Sequence, residues 1–160
     1  MSQRDRLLSR RIPPTPVRIR VDFTTPGVGA LFMALAQARL SDTTTPEGLA
    51  QLKAAESACD PYSEVLTVSP IPADQYDALV SEHPPSDEQR ALGHVWNPDT
   101  FWSALLAACI GQEAVDPMTE KDWAEWGHIP GAAASGEIGV LFQTCLNAND
   151  RSPDMHVGKG

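Results

Sequence analysis

The chain has 160 residues, 42% of them hydrophobic, and a formal net charge of -9 at pH 7. This size supports one compact core, and no apolar run approaches the roughly eighteen residues that a membrane-spanning helix needs. The opening segment MSQRDRLLSRRIPP is basic but has no apolar stretch behind it, which argues against a secretion signal and predicts a cytoplasmic location.

The first twenty residues form a basic region on an otherwise acidic chain. They contain six of the twelve basic residues and one acid, so they carry +5 and the rest of the chain carries -14. We predict a flexible basic arm over residues 1–16 that docks on its own domain or on an acidic partner, with Arg18 and Arg20 making an acidic contact. Nucleic acid is disfavoured as a partner, because the acidic body would repel phosphates and the arm lacks aromatic residues for base stacking.

Two short strands are predicted. Residues 17–23, VRIRVDF, alternate apolar and polar side chains, as a half-buried strand does. The apolar face of this strand would contain Val17, Ile19, Val21 and Phe23. Residues 64–71, EVLTVSPI, are rich in β-branched side chains and are flanked by prolines, so we predict a second strand that pairs with the first.

Two helix starts lie between these strands. Thr25 with Pro26, and Thr45 with Pro46, each have the sequence of a helix N-terminus, because proline is well tolerated at the first helical position. The first start predicts a helix to about residue 40, and the second predicts EGLAQLKAAESAC as a helix or as the second part of one broken helix.

Helix signals continue after the second strand. Residues 72–82 predict a short helix that the following His-Pro-Pro ends, since the residue before a proline avoids helical geometry. Ser86 and Gln89 then have the spacing of a capping box. The pair Asn97 and Pro98 is predicted to cap the most apolar helix of the chain, FWSALLAACI.

Two further helices are predicted toward the C-terminus. Thr119 and Asp122 start the first, whose sequence EKDWAEW is stopped by Gly127. Ser135 caps the second, in which apolar residues recur at the i, i+3, i+4, i+7 and i+8 positions of an amphipathic helix up to Asn149.

Together these elements predict an α+β fold that is predominantly helical. The basic arm precedes a single compact domain over residues 17–150, with the two-stranded sheet in its N-terminal half, and a polar, disordered tail follows at residues 151–160. The three cysteines are odd in number and lie in apolar helical sequence, which predicts buried, reduced thiols rather than disulfides. They are Cys59, Cys109 and Cys145.

No active-site signature is found in the sequence. The histidines lack a second ligand at i+3 or i+4, there is no C-x-x-C pair, and neither glycine-rich nucleotide-binding loop is present. Three carboxylates of EKDWAE lie in the first turns of a helix, where they interact with the positive end of its dipole. We therefore predict no enzyme, no cofactor and no metal. A metal site assembled from distant residues stays open as an alternative, for example from His94, His128 and Asp116.

The tryptophans carry the strongest functional signal. Trp102 lies on the central helix, whose apolar stripe is wider than one buried face requires, and Trp123 and Trp126 share a face of the next helix. The central helix could run through the core, covered on most sides. Alternatively, part of its stripe stays exposed and holds an apolar segment of a partner protein. This second interpretation predicts a client groove formed by Trp102, Leu106, Trp123 and Trp126.

The order of segments over residues 64–150 resembles a known family. The runs YDALVSEHPP, VWNPDTFWSALLAAC and DPMTEKDWAEW, followed by a helix ending LNAN, are similar in order and spacing to the tail assembly chaperones of long-tailed bacterial viruses, particularly those of actinobacterial hosts. The segment RIPPTPVRIRVDF also looks like the basic, proline-rich segment that leads into a strand in that family. The insert IPGAAASGE departs from the pattern and leaves the geometry of that loop open.

This resemblance implies a non-enzymatic protein of the bacterial host cytoplasm. Such chaperones bind the long, helical tape-measure protein, keep it soluble, help to recruit tail-tube subunits and then leave the finished tail. A net charge of -9 suits that role, because it opposes self-association while an apolar groove holds the client. Members are often also made in a longer form by a -1 ribosomal frameshift, and Val157, Gly158 and Lys159 permit a slip-prone codon string. We also expect that the protein forms a homo-oligomer.

Two alternatives remain open from the sequence. A structural tail subunit, such as a terminator or a connector, would stay in the virion, so mass spectrometry of purified particles separates it from a chaperone. An enzyme would need an assembled metal or Cys/His site, for example one that uses Cys109 and His94.

Overall fold

The structure is a computed structural model that describes residues 1–130 and 136–150. Within these residues the fold is α+β and mainly helical, with eight α-helices and one two-stranded antiparallel sheet, which confirms the predicted fold class. The strands are β1 (Thr15–Arg20) and β2 (Ser63–Val68), close to the two that the sequence predicts. The predicted tail at residues 151–160 and the predicted cap Ser135 lie outside the described residues.

Seven of the eight α-helices within the described residues follow the predicted order; the first was not predicted and lies in the segment expected to be a flexible arm. The helices are α1 (Gln3–Leu8), α2 (Val28–Leu40), α3 (Pro46–Cys59), α4 (Ala73–Glu82), α5 (Asp87–Ala91), α6 (Phe101–Cys109), α7 (Glu120–His128) and α8 (Glu137–Ala148), with one turn of 3-10 helix at Asp60–Tyr62. The predicted capping box at Ser86 is present, and the predicted helix start at Thr119 also forms a capping box, with Asp122. No helix in the described part of the chain has the length and apolar character needed to cross a membrane.

The contacts divide the chain into two compact units, whereas the sequence predicts one domain over residues 17–150. The hairpin unit, Arg18–Leu66, contains α2 and α3, which pack chiefly on each other. The larger unit combines Met1–Val17 with Thr67–Gly160 and contains the other helices. The division arises because the helical hairpin between the two strands supplies its own packing partner.

Strand β1 ends three residues earlier than predicted. The Asp22 carboxylate accepts hydrogen bonds from the backbone N–H groups of Thr24, at 2.8 Å, and Thr25, at 2.9 Å. This local turn competes with strand pairing and redirects the chain after Arg20. Two apolar residues of the predicted buried face are therefore about half exposed, at 56% and 49%. They are Val21 and Phe23.

The helices of the hairpin unit begin in different ways. Helix α2 starts at Val28 rather than at Pro26, after Gly27, which has the positive φ of 85° that glycine tolerates best. Helix α3 starts as predicted, because the hydroxyl of Thr45 accepts the backbone N–H of Gly48 at 3.1 Å.

The larger unit is organised around α6. This helix packs on α4, α7 and α8, and most of its residues are buried. Val68 at the end of β2 forms an isolated antiparallel bridge with Ile110, just after α6 ends. The buried apolar residues of this unit are Val68, Phe101, Ala104, Leu105, Leu106, Cys109, Ile110, Trp123, Leu141 and Cys145. The first interpretation of the apolar helix, that it passes through a core, therefore describes most of its surface.

The start of α6 and the end of α7 differ from the prediction. Helix α6 begins at Phe101 after Thr100, because Asn97 forms a separate turn in which its side chain accepts the Asp99 N–H at 3.0 Å. Helix α7 does not stop at Gly127 but continues to His128. Glycine is tolerated there because the ring of Trp102 occupies the place of a side chain.

Candidate functional site

The predicted client groove is only partly at the surface. Leu106 is 0% exposed and Trp123 is 2% exposed, so neither side chain is available to a partner. Trp102 and Trp126 are half-buried. The prediction is therefore corrected for Leu106 and Trp123, which belong to the core because α6 is covered by α7 and α8.

Trp102 is fixed within the larger unit. Its indole N–H donates to the carbonyl of Asp99 at 3.2 Å, and its six-membered ring lies against Gly127 of α7. An added Cβ at Gly127 would come within 2.8 Å of Trp102 Cη2. On α7, the ring of Trp126 meets that of Trp123 edge-on, with centroids 5.6 Å apart. The indole rings therefore contribute to the packing of the helices, and the rings of Trp102 and Trp126 remain partly exposed.

A second aromatic cluster surrounds Phe101 at the start of α6. Trp96 stacks on Phe101 with centroids 4.7 Å apart, and Phe142 meets both rings edge-on. The exposed side of this cluster opens into a cavity of about 430 Å³. The residues that line the cavity are Tyr76, Asp77, Trp96, Gln143, Leu146, Asn147, Asn149 and Asp150.

The two arginines predicted to contact an acidic partner are engaged within the hairpin unit. Arg18 Nη1 donates to Asp60 Oδ1 at 2.7 Å and to Ser63 Oγ at 2.6 Å, and the Arg18 side chain is 12% exposed. Its pairing with Asp60 joins β1 to the chain just before β2. The prediction that Arg18 binds an external acid is therefore corrected, because the acid is in its own unit.

Arg20 is held by a different set of contacts. Its Nε donates to the carbonyl of Asp22 at 2.7 Å, and its guanidinium lies 4.4 Å from the ring centroid of Phe23 and 5.3 Å from that of Phe32. These cation–π contacts place Arg20 over two aromatic rings. Arg20 is half-buried, and these contacts hold its side chain within the hairpin unit, while its predicted acidic contact stays a prediction.

Helix α2 of the hairpin unit has an uncovered apolar surface. We call it the α2 outer face, and it consists of Ala30, Met33, Ala36, Gln37 and Leu40, all exposed. Met33 is 68% exposed and Leu40 is 88% exposed. The opposite side of α2 is buried through Val28, Leu35 and Ala38. A helix that is apolar on most of its sides is normally covered on those sides, so the α2 outer face is a candidate binding surface.

A shallow groove adjoins this face between α2 and α3. It encloses about 310 Å³ and is lined by Ala34, Gln37, Ala38, Ser41, Gln51 and Ala55. Small side chains allow a third helix to approach closely, since interaxial distances of about 8–10 Å depend on the residues at the contact. The groove and the α2 outer face share Gln37 and form one continuous surface.

The sequence contains the signal for this surface. In VGALFMALAQARL the only charged residue is Arg39 and the only other polar side chain is Gln37, so the helix lacks a polar face. The sequence predicts a helix in this segment, to about residue 40, and no binding role was assigned to it. The absence of amphipathic periodicity, on a unit with few buried residues, was the feature that pointed to a partner.

The three cysteine thiols have no access to solvent in this structure. Cys59, Cys109 and Cys145 are all free and 0% exposed, which confirms their predicted burial. A hydrogen bond with Cys145 lowers the pKa of Cys109, while that same contact and burial raise the pKa of Cys145. Asn149 Nδ2 also lies 3.4 Å from Cys109 Sγ. The pair is part of the packing between α6 and α8.

No cluster of three or more metal-ligating side chains occurs within residues 1–130 and 136–150. His94 and His128 are exposed, and His128 Nδ1 lies 2.8 Å from the carbonyl of Ala124 in its own helix. The chain matches no protein-family model, no curated protein and no solved structure.

Proposed function

We propose that this protein is a non-enzymatic tail assembly chaperone that holds the tape-measure protein of a long-tailed bacterial virus in the host cytoplasm. The observation that carries the proposal is the α2 outer face, where Met33 and Leu40 project from the hairpin unit at 68% and 88% exposure. The identity of the client comes from the sequence resemblance over residues 64–150.

A helical client fits this surface. The exposed residues recur along α2 at the spacing of one helix face, and the adjoining groove is lined by alanines and by Gln37, Ser41 and Gln51. A client helix laid along the groove would bury its own apolar stripe against Met33 and Leu40, which is the usual way in which a helix is recognised by a groove. The flexible thioether of Met33 adapts to side chains of different shape, which suits a chaperone whose client is long and varied in sequence.

The energies suit temporary binding. Complete burial of Met33 and Leu40 is worth about 2 kcal/mol each before the cost of ordering the client. Several copies along one client would hold it without fixing it permanently. The net charge of -9 keeps loaded complexes apart by mutual repulsion.

The proposal includes the later steps of assembly. The protein helps to recruit tail-tube subunits to the loaded tape measure, possesses a longer frameshifted form, and leaves before the tail is complete. Mass spectrometry of purified virions tests the last step. A chaperone is absent from the particle, and stoichiometric recovery of the chain in virions would instead identify a structural tail subunit.

The client-binding step is tested by co-expression with the tape-measure protein. The wild-type chain is expected to keep the client soluble, and Met33→Lys with Leu40→Lys is expected to lose this ability, because two charges are placed on the apolar contact. The affinity loss is about 1000-fold if both side chains are fully buried by the client. Circular dichroism should be unchanged, since exposed positions tolerate lysine with changes within about 0.5 kcal/mol.

A matched control adds the same two charges elsewhere. Val65→Lys with Leu92→Lys changes two apolar residues that are 48% and 79% exposed and lie outside the α2 outer face. This variant should hold the client as well as the wild type does. Equal client solubility with both double variants would refute the assignment of the α2 outer face.

A further inference from the structure

The charge of the larger unit is separated along the chain. Residues 67–160 contain fourteen acidic and four basic residues, a net charge of -10, whereas residues 1–17 contain four arginines and one acid, a net charge of +3. Within residues 67–150, Arg90 pairs with Asp87 at 3.0 Å and Lys121 pairs with Glu125 at 3.7 Å, each on its own helix. An external basic segment is therefore strongly attracted to this unit.

The N-terminal arm has that basic character and is uncovered. Helix α1 is closed by a capping box between Ser2 and Asp5, yet every residue from 1 to 16 is exposed. Its apolar side chains are also exposed: Leu7 at 65%, Leu8 at 61% and Ile12 at 52%. A six-residue helix that buries nothing is marginal in water, because helix nucleation is costly and isolated helices need about 12–15 residues. The exposed leucines of the arm are therefore available for an apolar contact with another molecule.

The cavity beside Trp96 offers a complementary surface. Its volume of about 430 Å³ has room for one or two leucine side chains, and the apolar parts of Tyr76, Trp96 and Leu146 line it within a segment of strongly negative net charge. The Trp96 ring is held in place by its stacking on Phe101. A fixed aromatic ring on an acidic surface suits an incoming segment that carries both leucine and arginine.

We propose that the arm of one chain docks into the Trp96 cavity of a second copy, with Leu7 and Leu8 in the cavity and the arginines of the arm on the acidic surface around it. The occupant is a second copy because its arm has the required charge and apolar side chains, and because that arm is uncovered in its own chain. Reciprocal exchange of two arms gives a closed dimer. This inference concerns the protein alone and is independent of the client.

The proposal is tested by the mass of the full-length protein in solution. Light scattering at low ionic strength is expected to give twice the chain mass at high micromolar concentration, and 0.5 M salt is expected to weaken the dimer because charge attraction is screened. Leu7→Ser with Leu8→Ser should weaken dimerisation at least about tenfold. Leu92→Ser with Val95→Ser, at positions 79% and 65% exposed in the same unit, should leave it unchanged.

A cross-link between isotopically distinct copies identifies the partner site. A benzoylphenylalanine at Leu8 of a light chain should capture the segment around Trp96, or the end of α8, of a heavy-isotope chain. A protein that stays monomeric, a dimer unaffected by the two leucine changes, or a cross-link confined to one chain would each overturn the proposal. So would a monomer whose arm instead binds phosphatidylserine vesicles through the same leucines.

Discussion

The indole ring of Trp102 occupies the space where a side chain at Gly127 would lie. An added Cβ at that glycine would be 2.8 Å from Trp102 Cη2, closer than such atoms approach in proteins, and 3.2 Å from Ile138 Cδ1, which is a tight contact. Gly127 is in the interior of α7, where glycine costs about 1 kcal/mol relative to alanine. The close packing of the ring accounts for a residue that helix propensity alone disfavours.

Gly127→Ala is therefore expected to destabilise the protein although it improves helix propensity. Overpacking at a site of this kind costs about 1–3 kcal/mol, which exceeds the gain of about 1 kcal/mol from alanine. Gly139→Ala is the matched control, because Gly139 lies within α8 and an added Cβ there meets no atom within 4 Å. Urea denaturation should show a loss for the first variant and a gain for the second. Equal gains would contradict the packing.

Asn149 joins three segments of the larger unit. Its Oδ1 accepts the backbone N–H of Ile71 at 2.9 Å, and its Nδ2 donates to the carbonyl of Cys145 at 2.8 Å. Asn149→Ala leaves a half-buried N–H without its partner and should cost about 1–3 kcal/mol in the free energy of unfolding. Asn147→Ala removes only an exposed contact with Gln143 and should change stability by less than about 0.5 kcal/mol. Equal losses in urea denaturation would rule out this role.

Asp22 makes the hairpin unit sensitive to acid. The Thr25 hydroxyl and the backbone N–H groups of Thr25 and Thr24 lower the pKa of Asp22 to about 2. An unfolded aspartate titrates near about 3.9, so this stabilisation is fully present above that pH and is lost as the pH falls through about 2. An NMR titration should give a midpoint near 2 for Asp22, and Asp22→Asn should reduce the dependence of the melting temperature on pH below 4. A midpoint near 4 would contradict the turn.

The thiols should be inert in the folded protein. The hydrogen bond with Cys109, together with burial, raises the pKa of Cys145, and all three cysteines have no exposed surface. A thiol reagent needs the thiolate and access to it, so labelling should require unfolding. Mass spectrometry after labelling at pH 8 should show no modification without denaturant and three modified residues in urea. Rapid labelling of Cys109 in the folded protein would show that the α6–α8 contact opens easily.

Local patterns in the sequence predicted the elements well. The Thr45 cap, the capping box at Ser86, the helix start at Thr119 and the amphipathic α8 each depend on a few neighbouring residues, and all are present. The ends of the elements were predicted less accurately. The turn at Asp22, for example, lies within the residues whose alternating pattern predicts a strand.

The prediction of the binding site was wrong for residues whose exposure depends on packing between segments distant in sequence. An apolar stripe has the same sequence whether other helices cover it or not, so the burial of Leu106 and Trp123 depends on α7 and α8 packing onto α6. Likewise, the pairing of Arg18 with Asp60 joins residues 42 positions apart. The α2 outer face was visible in the sequence as a helix without a polar side, but its exposure required the fold.

The central claim is that the α2 outer face holds a helical client, and hydrogen exchange of the complex tests it most directly. A client fragment of the tape-measure protein should slow exchange in residues 28–41 and along the facing side of α3, with little change in α6 and α7. Protection confined to α6 and α7, or the same exchange in α2 with and without the client, would contradict it.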